Sequence, residues 1–188
     1  MSTSTDILTG VQFASYKHRN QRRKNKKRTP YINHPIAVAH LLRTVAGVTD
    51  SPTLIAALLH DTLEDTETTR KELFTTFGGV EILELVEEVT DDKTLKKSAR
   101  KQGQIDHAPK LSYRAKMIKL ADLTCNLTDI LDDPPPSWSK ERRGDYLVWT
   151  ERVIEGCRGT NEKLEQYYDQ LVTRGRRKLP GACLRPPV

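Results

Sequence analysis

The stretch PTLIAALLHDTLEDT, residues 52–66, places an uninterrupted apolar run directly before a dense group of polar side chains of the kinds that bind metals. The run consists largely of helix-forming residues and predicts a mostly buried helix that opens at Ser51 or Pro52. The polar group comprises His60, Asp61, Glu64 and Asp65. In one continuous helix, their spacings of three and four residues would stack these side chains over one side. Carboxylates packed so closely repel one another, so we expect a positive charge, such as a divalent ion, to compensate them.

The rest of the chain also shows helical periodicity, and alternating strand patterns are scarce. Apolar residues recur at helical spacing after Pro35 and along VEILELVEEV, residues 80–89. They form a strong stripe along YRAKMIKLADLTCNLTDIL, residues 113–131, until the prolines at 134–136 stop the helix. Further helices are predicted over residues 69–76, within 93–112, over 140–156 with Ser139 as N-cap, and over 160–174. The pattern predicts an all-α fold.

Length and composition narrow the class of protein. A chain of 188 residues fits a single domain with a real core. No stretch approaches the roughly 18 to 20 apolar residues of a membrane helix, and the N-terminus lacks a secretory signal pattern. Three cysteines, an odd number without metal-type spacing, favour a reduced cytoplasmic protein.

Positive charge is concentrated near the N-terminus. Residues 7–49 contain no Asp or Glu but nine Lys and Arg, whereas the rest of the chain has a net charge of −3. Charge alone leaves three interpretations open: a solvated basic face, a nucleic-acid-binding arm, and a pocket for a phosphorylated substrate. No aromatic residue interrupts the basic run at 17–28, which disfavours a stacking platform for single-stranded nucleic acid.

Two further segments hold side chains that could bind a metal. His34 lies in TPYINHP, residues 29–35, just before a helix starts, and Asp122 lies in the leucine-rich helix with Asn126 four residues later. Each signal has an ordinary alternative, since His34 could be structural or solvated and the His-Asp pair could end an exposed acidic helix. An aspartate buried as a lone charge is costly, so Asp122 must be exposed, paired or metal-bound. Two histidines and two aspartates together suit Mn²⁺, Fe²⁺ or Zn²⁺ better than Ca²⁺.

The order H…HD…D of these residues resembles the HD superfamily of metal-dependent phosphohydrolases. The segments RRKNKKRTPYINHPIAVA, AALLHDTLEDT, VEEVTDDKT and KLADLTCNL resemble, in the same order, the hydrolase domain of the RelA/SpoT alarmone enzymes. The C-terminal half is similar to the stand-alone animal form of that family, the metazoan SpoT homologues. This resemblance implies a single HD-domain helical bundle around a metal site over residues 13–175. Residues 1–12 are then expected to form an N-terminal tail, and residues 176–188 a basic, frayed C-terminal tail.

The resemblance also implies an activity and a site. Members of the family remove pyrophosphate from the 3′ position of guanosine 3′,5′-bis(diphosphate) to give GDP, usually with Mn²⁺. A small nucleotide substrate and one Mn²⁺ per chain are therefore expected, rather than a membrane or nucleic-acid partner. The implied metal ligands are His34, His60, Asp61 and Asp122, and the implied catalytic pair that orients or deprotonates the attacking water is Glu64 and Asp65. The implied substrate-binding residues are Arg23, Lys24, Asn126, Arg142 and Tyr146.

Two residues depart from the family pattern, and two other functions stay open. Arg28 stands where the family commonly has Gly, so the loop is expected to change shape or to place this side chain on the substrate's phosphates. Leu123 replaces the usual Lys after the metal-binding Asp, so a contact to the substrate or the ligands is expected to change. The first alternative function is an HD-type phosphatase acting on another nucleotide, such as NADPH. The second is a non-catalytic nucleotide or RNA binder that uses the basic segment.

Overall fold

A computed structural model describes residues 6–180 of the chain. The helices, in chain order, are α1 Ile7–Lys17, α2 Asn33–Thr44, α3 Ser51–Leu59, α4 Thr62–Asp65, α5 Arg70–Phe77, α6 Val80–Val89, α7 Lys97–His107, α8 Tyr113–Asp132, α9 Lys140–Glu155 and α10 Glu162–Lys178. A 3₁₀ turn at Ala108–Lys110 joins α7 to α8. Within residues 6–180 the only β-type pairing is an isolated bridge between Arg22 and Pro30. The expected all-α fold is confirmed.

Helix α3 lies at the centre of the fold, because every residue of its LIAALL run is buried. It packs against α1, α2, α6 and α8. A helix that is apolar on all faces must be covered on all faces, which explains this position. Helix α8 is the second central element and also contacts α2, α6, α9 and α10. Truncating a fully buried leucine such as Leu59 would cost about 2–5 kcal/mol, so these two helices form a firm frame for side chains at their ends.

Side-chain caps and a glycine set several helix limits at the places that the sequence predicts. The Ser139 hydroxyl accepts a hydrogen bond from the Arg142 N–H at the start of α9, and Ser112 caps α8 in the same manner. Gly78 ends α5 in the left-handed conformation, with φ at 72°. Among the described residues, no helix is both long enough and apolar enough to cross a membrane.

Residues 52–66 do not form the continuous helix that the spacing suggests. Helix α3 ends at Leu59, and α4 begins only at Thr62, so His60 and Asp61 form the turn between two helices. Asp61 adopts φ −96° and ψ −3°, and the Thr62 hydroxyl donates to the Leu59 carbonyl at 2.7 Å. Polar side chains that bond to nearby backbone groups compete with the helical ladder in this way. The break buries His60 while Glu64 and Asp65 stay half-buried.

The N-terminal limit of the fold differs from the expected tail of residues 1–12. Helix α1 begins at Ile7 and packs on α3. Gly10 permits the close approach, because a Cβ at this position would lie 3.3 Å from Leu58 Cδ1. Residues 1–5 lie outside the described range.

The C-terminal limit differs as well, because α10 continues through Gly175 to Lys178 instead of ending before a frayed tail. Gly175 is buried, and a Cβ there would lie 2.5 Å from Leu147 Cδ1, so a larger residue at this point would force the Leu147 side chain to move. The Lys178 ammonium then donates to the Asp132 carboxylate at 3.0 Å, which fixes the last turn. The expected tail is therefore wrong for residues 176–178, and residues 181–188 lie outside the described range.

Candidate active site

Three parts of the fold bring two histidines and two aspartates together. Helix α2 carries His34, the turn after α3 carries His60 and Asp61, and α8 carries Asp122. We call these four residues the His/Asp cluster. His34 Nε2 lies 3.0 Å from Asp122 Oδ1, and His60 Nε2 lies 3.1 Å from Asp61 Oδ2. The two cross distances, from His60 to Asp122 and from His34 to Asp61, are 3.7 and 3.9 Å.

The hydrogen bonding of His60 fits a metal ligand. Its Nδ1–H donates to the Ala57 carbonyl at 2.8 Å, so Nε2 is the nitrogen that faces the cluster. That Nε2 is buried and lies 3.1 Å from Asp61 Oδ2 and 3.7 Å from Asp122 Oδ1, but the geometry gives it no hydrogen bond within residues 6–180. Buried polar atoms normally have a partner, and a cation bound among His34, His60 and Asp122 would provide it. The cluster is therefore a candidate divalent metal site.

Strong electrostatic coupling within the cluster favours a bound cation. Burial alone would raise the pKa of Asp61 and Asp122, but the two histidines outweigh it and hold both carboxyl pKa values below their ordinary range. Burial lowers the pKa of His60, yet the same two carboxylates raise its net pKa well above the ordinary value. For His34 burial dominates, and its pKa is lowered. Two ionised carboxylates in one buried site attract positive charge.

Neighbouring side chains orient the two carboxylates of the cluster. The Tyr31 hydroxyl lies 2.7 Å from Asp61 Oδ2 and 3.2 Å from Asp65 Oδ2, so its one proton is shared between these two acceptors. Burial, followed by these carboxylates, raises the pKa of Tyr31, so the phenol stays a donor. Asn126 Nδ2 donates to Asp122 Oδ1 at 2.6 Å. Sequence reasoning did not single out Tyr31, although it lies within the TPYINHP segment.

Glu64 and Asp65 differ in environment. Glu64 accepts hydrogen bonds from the Asp91 backbone N–H at 3.2 Å and from Arg100 at 3.4 Å. Burial and then the Asp91 carboxylate raise the pKa of Glu64 to about 7. Asp65 instead forms an ion pair with Lys93 and accepts the Tyr31 hydrogen bond. Glu64 can therefore gain or lose a proton near neutral pH.

A cavity of about 260 Å³, which we call the cluster cavity, joins His60, Asp61 and Asp122 to Glu64 and Asp65. Helix α7 adds Lys97, Arg100 and Lys101 to its lining. Burial and the neighbouring cations lower the pKa of both lysines, which shows how closely the positive charges are placed. The sequence analysis missed these three residues. Their spacing of three and four residues on one helical face was the signal that could have revealed them.

A second cavity of about 230 Å³, which we call the aromatic cavity, adjoins the first. The two cavities share five lining residues, which are Arg23, Tyr31, Asp65, Asn126 and Tyr146. The aromatic cavity also contains Lys24, Ile130, Asp133, Pro135 and Trp138. Together the cavities offer a charged compartment at the His/Asp cluster and a more apolar compartment beside it.

The structure places the expected substrate-binding residues unevenly. Asn126 and Tyr146 line both cavities, and Lys24 lines the aromatic cavity. Arg23 lines both, but its guanidinium is already paired with Asp129 at 2.8 Å. Arg142 is not among the lining residues of either cavity, because its guanidinium lies over the Trp138 ring at 4.3 Å.

The two departures from the family pattern have different structural outcomes. Arg28 has φ at 50°, the left-handed conformation that glycine favours, and its side chain is exposed. The position therefore keeps a glycine-like backbone. Leu123 is 2% exposed and lines the cluster cavity, where it presents apolar surface. A cation is nevertheless present one turn earlier, since the buried Lys119 lines the same cavity and donates to the Val89 carbonyl at 3.2 Å.

The helical fold and the His/Asp cluster are typical of HD-domain proteins, and residues 10–148 match a family model described as HD domain. The human guanosine-3′,5′-bis(diphosphate) 3′-pyrophosphohydrolase MESH1 is 50% identical over 170 residues, which cover 90% of this chain and 94% of the relative. The Drosophila melanogaster protein of the same name is 46% identical over 168 residues, covering 89% and 93%. A solved structure of a metazoan orthologue of SpoT that hydrolyses ppGpp matches with a TM-score of 0.87 and 44% identity, covering 93% of this chain and 97% of that one. The chain therefore belongs to the HD-domain family and, within it, to the metazoan SpoT orthologues represented by MESH1.

Proposed function

We propose that this chain is a metal-dependent 3′-pyrophosphohydrolase that converts guanosine 3′,5′-bis(diphosphate) to GDP and pyrophosphate. The observation that carries the proposal is one cavity that is lined by His60, Asp61 and Asp122 of the His/Asp cluster, a glutamate with a pKa of about 7 and three cations of α7. A purely structural histidine and aspartate cluster would need neither the glutamate nor the cations. The proposed reaction is the one for which the human and fly relatives are named.

His34, His60, Asp61 and Asp122 would hold one divalent ion, and Mn²⁺ suits two imidazoles with two carboxylates. When bound, such an ion lowers the pKa of a coordinated water toward neutrality and polarises the phosphate. The hydrogen bonds from Tyr31 and Asn126 support this assignment, because partners of this kind hold ligating carboxylates in place.

Glu64 is assigned as the general base that takes the proton of the attacking water. A base whose pKa lies near the working pH is half ionised there and still accepts a proton readily. Asp65 is assigned to orient the same water. Its ion pair with Lys93 offsets its negative charge, which leaves the role of base to Glu64. Lys97, Arg100 and Lys101 are assigned to the substrate's phosphates, whose negative charge they offset.

The free thiols of Cys125 and Cys157 support a reducing, cytoplasmic location as part of this proposal. Arg23, one residue of the basic segment, pairs with Asp129 and lines the cavities, which supports a place for this cation in a nucleotide pocket.

The test is a product assay with Mn²⁺ in which guanosine 3′,5′-bis(diphosphate) and NADPH are offered side by side. Pyrophosphate release from the guanosine substrate, lost with a chelator and in Asp61→Ala, would support the proposal. The control is Glu84→Ala, which changes an exposed carboxylate of α6 outside both cavities and should keep the activity. Phosphate release from NADPH alone would support the proposed active site but contradict the assignment of guanosine 3′,5′-bis(diphosphate) as the substrate. No release from either substrate would overturn the proposed function.

A further inference from the structure

The aromatic cavity has the chemistry of a nucleobase site. Trp138 and Tyr146 form one wall, with ring centroids 5.6 Å apart and an interplanar angle of 61°. Ile130 and Pro135 add apolar surface. Aromatic faces stack on any base, so these residues provide affinity without selecting among bases. Selection requires a polar group that reads the base edge.

Asp133 supplies such a group. It follows the end of α8, where its backbone N–H donates to the Asp129 carbonyl at 2.9 Å, and it lines the aromatic cavity. Its Oδ2 is buried and has no hydrogen-bond partner within residues 6–180. The other carboxylate near this position, Asp129, is occupied by Arg23. Asp65, the third acidic residue of the cavity, pairs with Lys93, so Asp133 is the carboxylate of this cavity that forms no ion pair within residues 6–180.

We propose that Asp133 selects guanine, an inference that rests on the proposed function and adds the basis of its substrate choice. An ionised carboxylate only accepts hydrogen bonds. Guanine presents two adjacent donors, N1–H and the 2-amino group, which a carboxylate can accept together. Hypoxanthine retains only N1–H, and adenine turns an acceptor, N1, toward the carboxylate.

The position of Asp133 is consistent with substrate bound across both cavities. A base in the aromatic cavity adjoins the charged compartment through the shared residues Asn126 and Tyr146. Its ribose phosphates would then meet the cations of α7 and the His/Asp cluster. One nucleotide would use the apolar and the charged compartment at once.

The test measures binding of GDP, IDP and ADP to the full chain in EDTA, where turnover does not interfere, by calorimetry or by tryptophan fluorescence. The wild type should bind GDP roughly 10- to 100-fold more tightly than IDP or ADP, the range expected for a hydrogen bond to a charged group. In Asp133→Asn the ratio should fall to about threefold or less, because the amide places a donor against the base's donors. The matched control is Asp132→Asn, whose carboxylate pairs with Arg174 and Lys178 away from the cavity, and it should keep the wild-type ratio.

Equal affinity of the wild type for GDP and IDP, or an unchanged ratio in Asp133→Asn, would overturn the inference. If Asp133→Asn does not fold, Asp133→Ala, which removes the carboxylate, takes its place and should show the same fall of the ratio. Failure of the proposed function looks different. If the protein selects GDP but releases no pyrophosphate, the proposed function is contradicted and the role of Asp133 is retained. If it hydrolyses the guanosine substrate without selecting among the bases, the proposed function is retained and the role of Asp133 is contradicted.

Discussion

Glu64→Gln isolates the proposed base, because glutamine keeps the volume of the side chain and can still accept the hydrogen bond from the Asp91 N–H. The substitution removes the negative charge and the ability to take a proton. General-base catalysis contributes roughly 10²- to 10⁴-fold, so kcat should fall by that factor, equivalent to about 3–5 kcal/mol of activation free energy. Bound Mn²⁺ should stay at the wild-type level, because Glu64 lies outside the His/Asp cluster.

The pH profile adds a second signature of the same residue. Burial raises the pKa of Glu64 to about 7 in the metal-free protein and a bound cation lowers it, so wild-type kcat should fall about tenfold per pH unit below a pKa of 7 or less and level off above it. The acidic limb should disappear in Glu64→Gln. The assay is the initial rate of pyrophosphate release from pH 5.5 to 9, with metal content measured on the same samples. Glu67→Gln is the matched control, since Glu67 is 67% exposed and should leave the profile unchanged.

Two results would refute the reasoning about Glu64. A variant that keeps kcat within threefold of the wild type would exclude Glu64 as the base. A variant that loses Mn²⁺ together with activity would place Glu64 among the groups that hold the metal.

Four further perturbations test other parts of the structure. Asp61→Ala should remove bound Mn²⁺ and turnover together, measured by metal content after gel filtration and by product release; wild-type turnover would mean that the site lies elsewhere. In chelator-treated protein, the pKa of Glu64 is about 7 in the folded state and 4.5 in the unfolded state. The protonated side chain therefore contributes its full stabilisation below pH 4.5, and this contribution is lost as the pH rises through about 7. Between pH 4.5 and about 7, the free energy of unfolding measured by urea titration should fall by about 1–2 kcal/mol more in the wild type than in Glu64→Gln, a figure reduced for the solvent screening of a partly exposed side chain. An equal fall in both proteins would contradict this. Arg28→Gly should raise the free energy of unfolding by up to about 1 kcal/mol, because relief of the left-handed backbone exceeds the added chain entropy; a loss of stability would mean that the arginine side chain makes stronger contacts than its exposure indicates. Gly156→Ala should lower the free energy of unfolding by about 1–3 kcal/mol, because its Cβ would lie 2.8 Å from the Pro109 backbone nitrogen; an unchanged thermal midpoint would show that the 3₁₀ turn moves freely.

Much of the fold could be predicted from the periodicity and spacing of apolar residues. An apolar run without polar interruptions has to lie at the centre of the fold, and a helix with a leucine stripe has to turn that stripe toward the centre. Helix α3 is fully buried and α8 packs against it, as these patterns predict. Helix α1 escaped prediction because its sequence, ILTGVQFASYK, buries only Gly10 and Ala14 and shows no strong apolar stripe. Its position depends on close contact with α3, which no local pattern reveals.

The site was predictable as a set of residue types but not as a geometry. Motif order brought His34, His60, Asp61 and Asp122 into one hypothesis, and the structure places them together. The interruption between α3 and α4 depends on side-chain bonds to the backbone, which spacing alone does not encode. The cations of α7 lie in a segment that the motifs do not include, so only the tertiary structure shows that they face the same cavity.

Helix α7 contains no buried residue. Two contacts attach it to the rest of the fold: Ile105 packs partly against the core, and the indole N–H of Trp149 donates to the Lys101 carbonyl of α7 at 3.1 Å. Such a helix is a separate unit of low local stability, whose amide protons should exchange through local opening while those of α3 and α8 exchange only on global unfolding. We therefore expect Lys97, Arg100 and Lys101 to lie on the part of the site that opens, and the His/Asp cluster to stay fixed. Substrate entry and product release then require no displacement of the histidines, and occupancy of the site should be recorded as slower exchange confined to α7.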